Sequence, residues 1–538
     1  MQKILIVNLM RMGDILQTSP LIGCLRAKFP SIRIDLVLNE VFLDAGRRVG
    51  ADAVHALSMQ GLKDLLSRGE SLEDALRELE EFVGSVNRGG PYDLVCNLTP
   101  SRSAASLASL FLYRSRAGMW MEEDGSLQTT DPWTSYLVAM MSNRRRNPFH
   151  LVDIWMRALG VSGPGRLSLE VRPEDAERTR ELLTGLGVKL DRELLVGFQL
   201  SASQKEKCWS EREFIRLGQS LHRALKARVL LFGVDQEQQV CRRVGAQIPG
   251  SVNLAGKTDL GVLATALRSC RALVTNDTGT LHVATAVETP VVVVSVGPVN
   301  FRETGPYGMG HWIFQARLPC APCHFDASCL RPVCKETIRA EHVYGVLLHV
   351  LGMREELPRG LPADVACYRS DFDREGWLDF RPCEAPSDED RTLLAYRELW
   401  RSLLESDPRA GRDGTEAVWG PEALPAWHQL LNLLRRSAKL VRMAHETGQA
   451  RMGDGTRWKV VRENLRQVEM EMRKTSLEAV DLSPFVQYLT LRREALSFGN
   501  PLEFLEKTSY LYSHVAEQLE KRSGTLTHGK GGDCHAGL

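Results

Sequence analysis

The chain has 538 residues, of which 43% are apolar and 25% charged, and its formal net charge is +1. This length predicts more than one domain, because a single hydrophobic core stops growing near ~250–300 residues. The near-zero net charge lacks the basic excess of nucleic-acid-binding proteins, so we expect no nucleic-acid partner. No apolar run of ~18 residues is present, which excludes a membrane-spanning helix.

The first residues do not resemble a signal peptide, because the short apolar run is interrupted by Arg11 and Asp14. Twelve cysteines in a chain without an export signal indicate thiols or metal ligands rather than a disulfide framework. We therefore expect a cytoplasmic protein.

From the start to about Val350, short β-branched runs alternate with amphipathic helical patterns, which is typical of parallel α/β architecture. Residues 1–172 are predicted to form a first Rossmann-like domain, and residues 173–352 a second. In the second domain, Ser210 and Glu213 have the spacing of a helix-capping box. The predicted strands of both domains are Lys3–Leu9, Ile32–Leu38, Asp93–Leu98, Leu194–Leu200, Arg228–Phe232, Ala272–Asn276 and Val291–Val296.

Beyond the second domain the composition changes. Proline and acidic residues predict an irregular connector over 353–424, and helical patterns predict an appendage over 425–522. The Gly-rich end, 523–538, predicts a disordered tail. From Arg435 to Lys474 there are eleven Lys or Arg against five Asp or Glu, which indicates either attraction to an anionic membrane surface or a solvated helical face.

Asp14 follows the first predicted strand, at the edge of a parallel sheet where ligands bind. Its carboxylate is a candidate general base, although an aspartate there also suits the capping of a turn. Lys207 lies between a strand and a helix, where its ammonium can neutralise a phosphate or remain solvated.

The third candidate is the stretch TNDTGTLHVATA, in which a strand leads directly into a helix. A helix start has free N–H groups and a positive dipole end, which together make an anion site. Gly279 would allow close approach of a phosphate, and Asp277 would cap the helix or accept hydrogen bonds from ligand hydroxyls. His282, on the first turn, either faces the same ligand or is a buried polar residue.

Taken together, the motifs R-x-G-D-x-x-x-T-x-P, K-x-W and N-D-T-G-x-x-H-x-A resemble glycosyltransferase family 9, the ADP-heptose heptosyltransferases of lipopolysaccharide synthesis. The resemblance covers residues 1 to about 351 and implies a GT-B fold, two Rossmann-like domains facing a cleft, here followed by a mainly helical C-terminal extension. It implies inverting transfer of heptose from ADP-heptose to a lipopolysaccharide inner-core acceptor, with no cofactor or metal needed for catalysis. By this resemblance Asp14 is the base. The implied donor-binding residues are Lys207, Asp277, Thr278, Gly279, Thr280 and His282.

The expected partners are thus a nucleotide-sugar donor and a lipid-linked glycan acceptor, with peripheral contact to the inner membrane. The triplet Arg144–Arg146 lies in the half where an anionic acceptor would dock. Two alternatives remain: transfer of another nucleotide sugar to a different cell-surface glycan, or non-catalytic binding of a sugar nucleotide. An oxidoreductase is disfavoured because no G-x-G-x-x-G follows the first strand.

A cysteine cluster precedes the end of the second half. Its spacing, C-x2-C-x5-C-x4-C, begins with a good tetrahedral half-site and predicts a structural zinc site. Reduced packing thiols or a redox-labile pair are the alternatives. The four residues are Cys320, Cys323, Cys329 and Cys334.

Overall fold

The protein is represented by a computed structural model. It describes residues 1–67, 72–163, 165–324, 329–405, 424–450, 455–478, 482–495 and 501–527. These form two compact units. The first comprises residues 1–116 and 149–385, and the second comprises residues 117–148 and 386–538. The second Rossmann-like sheet and strands β1 to β4 of the first belong to the first unit.

The first sheet has six strands in the order β3-β2-β1-β4-β5-β6, in which β1 pairs in parallel with β2 and β4. This is the order of a Rossmann-like half, and its ligand-binding switch point lies at the carboxyl ends of β1 and β4. The residues of β1 and β2 are almost all buried, as expected for strands covered by helices on both faces. The strands are β1 (Lys3–Val7), β2 (Arg33–Asn39), β3 (Ala53–Leu57), β4 (Tyr92–Asn97), β5 (Tyr113–Met121) and β6 (Leu127–Thr129). The helices are α1 (Met12–Leu16), α2 (Ser19–Lys28), α3 (Leu43–Gly46), α4 (Met59–Ser67), α5 (Leu72–Asn87), α6 (Arg102–Ser109), α7 (Pro132–Met140) and α8 (Leu151–Ala158).

The second sheet has eight strands in the order β14-β13-β12-β11-β10-β7-β8-β9. Strands β7 to β12 are parallel and repeat the Rossmann order, so the second switch point lies at the carboxyl ends of β7 and β10. The strands are β7 (Leu195–Gln199), β8 (Arg228–Phe232), β9 (Val252–Asn253), β10 (Ala272–Thr275), β11 (Val291–Ser295), β12 (Trp312–Ala316), β13 (Val365–Phe372) and β14 (Leu378–Pro382). The helices are α9 (Pro173–Gly185), α10 (Glu211–Leu225), α11 (Gln238–Gly245), α12 (Leu260–Arg268), α13 (Gly279–Ala286), α14 (Phe301–Thr304), α15 (Cys334–Thr337) and α16 (Ala340–Val350).

Two Rossmann-like sheets in series confirm the predicted GT-B fold. The prediction of an irregular connector over 353–424 is wrong for much of its length. Strands β13 and β14 add to the second sheet in antiparallel fashion, and α17 (Asp388–Leu404) follows them. Buried Val365, Cys367 and Leu378 hold these strands in the core, which a proline-rich composition does not reveal. Residues 406–423 lie outside the described residues.

The capping box predicted at α10 does not form. Ser210 is the N-cap residue but makes no side-chain cap, and the Glu213 carboxylate instead accepts a hydrogen bond from the N–H of Ala340, at 2.8 Å. Glu213 thus caps the start of α16, a helix more than a hundred residues later in the chain. The capping box fails because a tertiary partner competes for its carboxylate.

The second unit joins residues 117–148 to the C-terminal helices, so the predicted boundary at residue 172 encloses a segment that packs elsewhere. In this unit the buried Trp400 of α17 is stacked on Phe485, with ring centroids 4.4 Å apart, and lies edge-on to Tyr136 of α7 at 4.8 Å. Arg145, predicted to meet an acceptor, binds Glu389 through Nε and Nη2 at 3.0 and 2.8 Å.

The remaining helices of this unit are long. None of the described helices in the chain combines the length and apolar character needed to cross a membrane. The tail predicted from residue 523 is helical as far as Thr527, and residues 528–538 lie outside the described residues. These helices are α18 (Leu424–Ala450), α19 (Gly455–Glu478), α20 (Ser483–Ala495) and α21 (Pro501–Thr527).

Candidate active site

Asp14 lies in the first turn of α1, directly after the carboxyl end of β1. Its Oδ2 accepts a hydrogen bond from the N–H of Arg11, the N-cap residue, at 3.1 Å, so the helix-capping role left open by the sequence is present. Burial raises the pKa of this carboxyl from 3.8 to about 6, and the negative charge of Asp277 adds to the rise. A carboxyl with a pKa near neutrality is also suited to proton transfer.

Lys207 ends a short 3-10 turn, Lys205–Lys207, that follows β7. Its Nζ lies 3.3 Å from Oδ2 of Asp277, and the two side chains are 9% and 11% exposed. Lys207 follows β7 and Asp277 follows β10, so the ion pair lies at the switch point between these strands, where an anionic ligand is expected. We refer to residues 203–209 as the Lys207 turn.

Trp209 explains the K-x-W motif. Its backbone N–H donates to Oδ1 of Asn276 at 2.8 Å, and its Nε1–H donates to the carbonyl of Ile338 at 2.7 Å. Asn276 in turn donates to the carbonyl of Leu200 at the end of β7. The buried indole therefore anchors the Lys207 turn, and the lysine two residues earlier reaches Asp277.

The start of α13 contributes the predicted anion site. Thr278 is the N-cap residue, so the alternative in which Asp277 caps this helix is wrong, and Asp277 pairs with Lys207 instead. Among the described residues, the buried Oγ1 of Thr278 has no hydrogen-bond partner. An unsatisfied buried hydroxyl beside free helix N–H groups indicates a place for a ligand oxygen.

Gly279 and Thr280 also have structural roles, which the sequence motif did not suggest. A Cβ on Gly279 would lie 2.5 Å from Cε of Met12, so this glycine lets α1 and α13 approach each other. Thr280 donates through Oγ1 to Oε1 of Gln199, at 3.0 Å, and so secures α13 to the end of β7.

His282 is buried between the two helices. A Cβ on Gly13 would lie 2.5 Å from Cδ2 of this ring, and the Gln17 amide nitrogen lies 3.3 Å from both ring nitrogens. Burial lowers the pKa of His282 to about 4, so the ring is neutral at pH 7. His282 therefore fits the second alternative from the sequence, a buried polar residue, and it contacts the first half of the fold through Gln17.

A pocket of about 390 Å³ opens beside the start of α13, a volume suited to a small-molecule ligand. The sequence analysis did not identify most of the residues that line this pocket, although the predicted ends of β7 and β8 indicated its place. Glu237 shapes the floor, because its Oε2 accepts from Nε2 of Gln199 at 3.2 Å and from the N–H of Val234 at 3.0 Å. The lining also includes Ser201, Ser203, Asp235, Gly256, Thr258, Asp259 and Leu263.

The four clustered cysteines lie behind the Lys207 turn rather than in the pocket. Cys320 and Cys329 are exposed, and Cys323 and Cys334 are half-buried. Burial raises the pKa of the Cys323 thiol to about 11, and the three neighbouring cysteines contribute. In the part of the chain that the structure describes, no three His, Cys, Asp or Glu residues are arranged to hold a metal ion. The zinc site stays a prediction.

Residues 87–333 match the model of glycosyltransferase family 9 (heptosyltransferase). The chain is 24% identical over 288 residues to lipopolysaccharide heptosyltransferase 3 of Escherichia coli, covering 52% of this chain and 79% of that protein. It is 24% identical over 320 residues to lipooligosaccharide heptosyltransferase 2 of Haemophilus ducreyi, covering 56% and 86%.

Among solved structures, the chain resembles the ADP-heptose lps heptosyltransferase II of E. coli, with a TM-score of 0.48 and 18% identity over 66% of this chain and all of that one. The family match includes the Lys207 turn and the start of α13, and these two relatives are covered over 79% and 86% of their own length. Residues 87–333 are therefore the part of the chain that is similar to glycosyltransferase family 9.

Proposed function

We propose that the protein transfers a heptose from ADP-heptose to a lipopolysaccharide inner-core acceptor, with inversion and without a metal ion. The heptosyltransferase relatives support the donor and acceptor classes. One observation supports the chemistry above others. The carboxyl of Asp14, with its pKa raised to about 6, lies close enough to Asp277 for their charges to interact.

The donor side would act on the leaving group. As the bond between the anomeric carbon and the diphosphate breaks, negative charge grows on the phosphate oxygens. Lys207 and the N–H groups at the start of α13 would stabilise this charge, and the unpartnered Thr278 hydroxyl would donate to the same group. The 390 Å³ pocket would hold the nucleoside.

Asp277 would have two tasks on this side. Its carboxylate orients the Lys207 ammonium, and its remaining oxygen would accept hydrogen bonds from the hydroxyls of the sugar. Because both side chains are nearly buried, the pair is poorly screened by water and holds its geometry before the donor arrives.

The acceptor side would supply the nucleophile. Asp14 would take the proton of an acceptor hydroxyl, whose oxygen then forms a bond to the anomeric carbon on the face opposite the departing diphosphate. Attack from that face inverts the configuration and releases ADP. At pH 7 a base with a pKa near 6 is mostly ionised yet still basic enough to accept the proton, which is the balance that general-base catalysis requires.

The acceptor of this reaction is lipid-linked, so we further propose that the protein works in the cytoplasm at the inner face of the membrane. The basic excess between Arg435 and Lys474 would favour such a surface. Vesicle flotation with and without anionic lipid would test this: loss of binding to anionic vesicles, when basic residues between Arg435 and Lys474 are replaced by glutamine in the full chain, supports it. Equal recovery with neutral vesicles contradicts it.

Calorimetric titration with ADP-heptose, UDP-glucose, GDP-mannose and NAD⁺ in EDTA tests the donor. We expect ADP-heptose to bind most tightly, and transfer to a truncated lipopolysaccharide to proceed in the same buffer. Preference for another sugar nucleotide would retain the mechanism and change the substrate. Binding without any transfer would favour the non-catalytic alternative.

A further inference from the structure

The proposed reaction does not use the clustered cysteines, yet their segment contacts the Lys207 turn. We define the cysteine segment as residues 319–324 and 329–338, which contain the four clustered cysteines and α15. The segment contacts the Lys207 turn both before and after Lys207, and it also contacts the turn indirectly through the loop at Gly297.

Two contacts come from the end of the cysteine segment. The Nζ of Lys335 donates to the carbonyl of Lys205, the first residue of the 3-10 turn. The carbonyl of Ile338 accepts the indole N–H of Trp209 at 2.7 Å, and Trp209 is 2% exposed. The backbone is therefore held two residues before Lys207 and two residues after it.

The third contact passes through Gly297. This residue has φ +67°, and a Cβ on it would lie 2.5 Å from the carbonyl oxygen of Glu206, so its backbone packs directly against the turn. The N–H of Cys323 donates to the carbonyl of Gly297 at 3.1 Å. The loop at Gly297 thus lies between the cysteine segment and the residue that precedes Lys207.

We propose that the cysteine segment is a positioning element for Lys207, so that binding of a nucleoside diphosphate and the accessibility of the segment's thiols are coupled. Lys207 is buried, and its ammonium must meet Asp277 and a phosphate together. A displacement of the turn of about 1 Å would misplace this charge. The coupling is reciprocal: a ligand that fixes the turn protects the thiols, and modified thiols weaken the ligand by the same factor.

The ligand class in this inference rests on the proposed function. The first test uses the wild-type chain, treated with EDTA so that the thiols carry no metal, and measures by peptide mass spectrometry the rate at which iodoacetamide alkylates each cysteine. Saturating ADP is expected to slow alkylation of Cys323 and Cys334 by about fivefold, a coupling at the low end of the usual range. Cys24, a half-buried thiol of the first half, is the internal control and keeps its rate. Equal rates with and without ADP, in protein that binds ADP, would overturn the coupling.

The second test removes one contact. Lys335→Met is expected to weaken ADP binding about fivefold, the effect of losing one charge-assisted hydrogen bond, while Lys335→Arg retains most of the affinity. Arg331→Met is the matched control, because Arg331 is exposed in the same segment and its substitution makes the same charge change. Unchanged affinity in Lys335→Met, or equal losses in both variants, would contradict the positioning role.

The two proposals fail differently in these experiments. If the wild-type chain binds none of ADP, UDP or GDP, the donor site is wrong and the positioning role is wrong with it. If ADP binds but neither the alkylation rates nor Lys335→Met show an effect, the donor site remains supported and only the positioning role fails.

Discussion

The two sides of the candidate site hold their charges in opposite ways. On the second-half side, Lys207 and Asp277 form an ion pair at 3.3 Å, so each charge compensates the other. On the first-half side, burial of Asp14 outweighs the nearby positive charge of Arg11 and leaves the carboxyl with a raised pKa. A compensated pair is suited to binding a charged ligand, whereas an undercompensated carboxylate is suited to accepting a proton.

The largest expected effect separates these two roles. Asp14→Asn is isosteric and removes the base, so we expect transfer to fall by about 10²–10⁴-fold while ADP affinity stays within about twofold of wild type. Steady-state transfer rates and calorimetry provide the two measurements. Asp191→Asn, at an exposed aspartate, is the control. A variant that transfers at the wild-type rate would show that Asp14 is not the base.

The next effect belongs to the binding side. Lys207→Met retains the aliphatic stem and removes the charge, so we expect kcat to fall by about 10²–10³-fold and ADP to bind more weakly as well. Lys205→Met, an exposed lysine in the same turn, is expected to change neither quantity. If Lys207→Met lowers kcat but leaves ADP affinity intact, the lysine acts only in the transition state, and the role of the Lys207–Asp277 pair in binding the ligand is wrong.

The third effect is on stability. The pKa of Asp14 is about 6 in the folded chain against 3.8 ordinarily, so folding penalises its ionised form. The penalty is absent below pH 3.8, grows as the pH rises and is complete above about pH 6, where it reaches roughly 2–3 kcal/mol. Asp14→Asn should therefore raise the free energy of unfolding by a value of this order at about pH 8 and by much less at about pH 4.5, measured by urea denaturation. Equal changes at both pH values would mean that burial does not raise the pKa of the Asp14 carboxyl in the folded chain.

The smallest effect measures how far the two sides interact. The rate of transfer should rise with pH through about 6 as Asp14 loses its proton. Because the charge of Asp277 helps to raise the pKa of Asp14, Asp277→Asn should move this midpoint to lower pH by up to about one unit. The midpoint of kcat at saturating donor is the measurement. An unchanged midpoint would show that the two carboxylates are independent in solution.

The sequence by itself determined much of the fold and the positions of the site. Buried strands followed by polar residues mark the carboxyl ends of β1, β7 and β10, and these local patterns predicted Asp14, Lys207 and Asp277 as site residues. The structure places all three residues after the ends of these strands. The GT-B fold follows from the same alternation, since each strand carries its own apolar run and each helix its own apolar face.

Only the tertiary structure decided what these residues touch. The contact of Gly13 with His282, the hydrogen bond from Ala340 to Glu213 and the packing of Tyr136 on Trp400 each join residues more than a hundred positions apart. No local pattern encodes such contacts, because they depend on which surfaces meet after the chain has folded. The raised pKa of Asp14 has the same origin: its residue type and position are local, but its burial and the charge of Asp277 arise when the two halves come together.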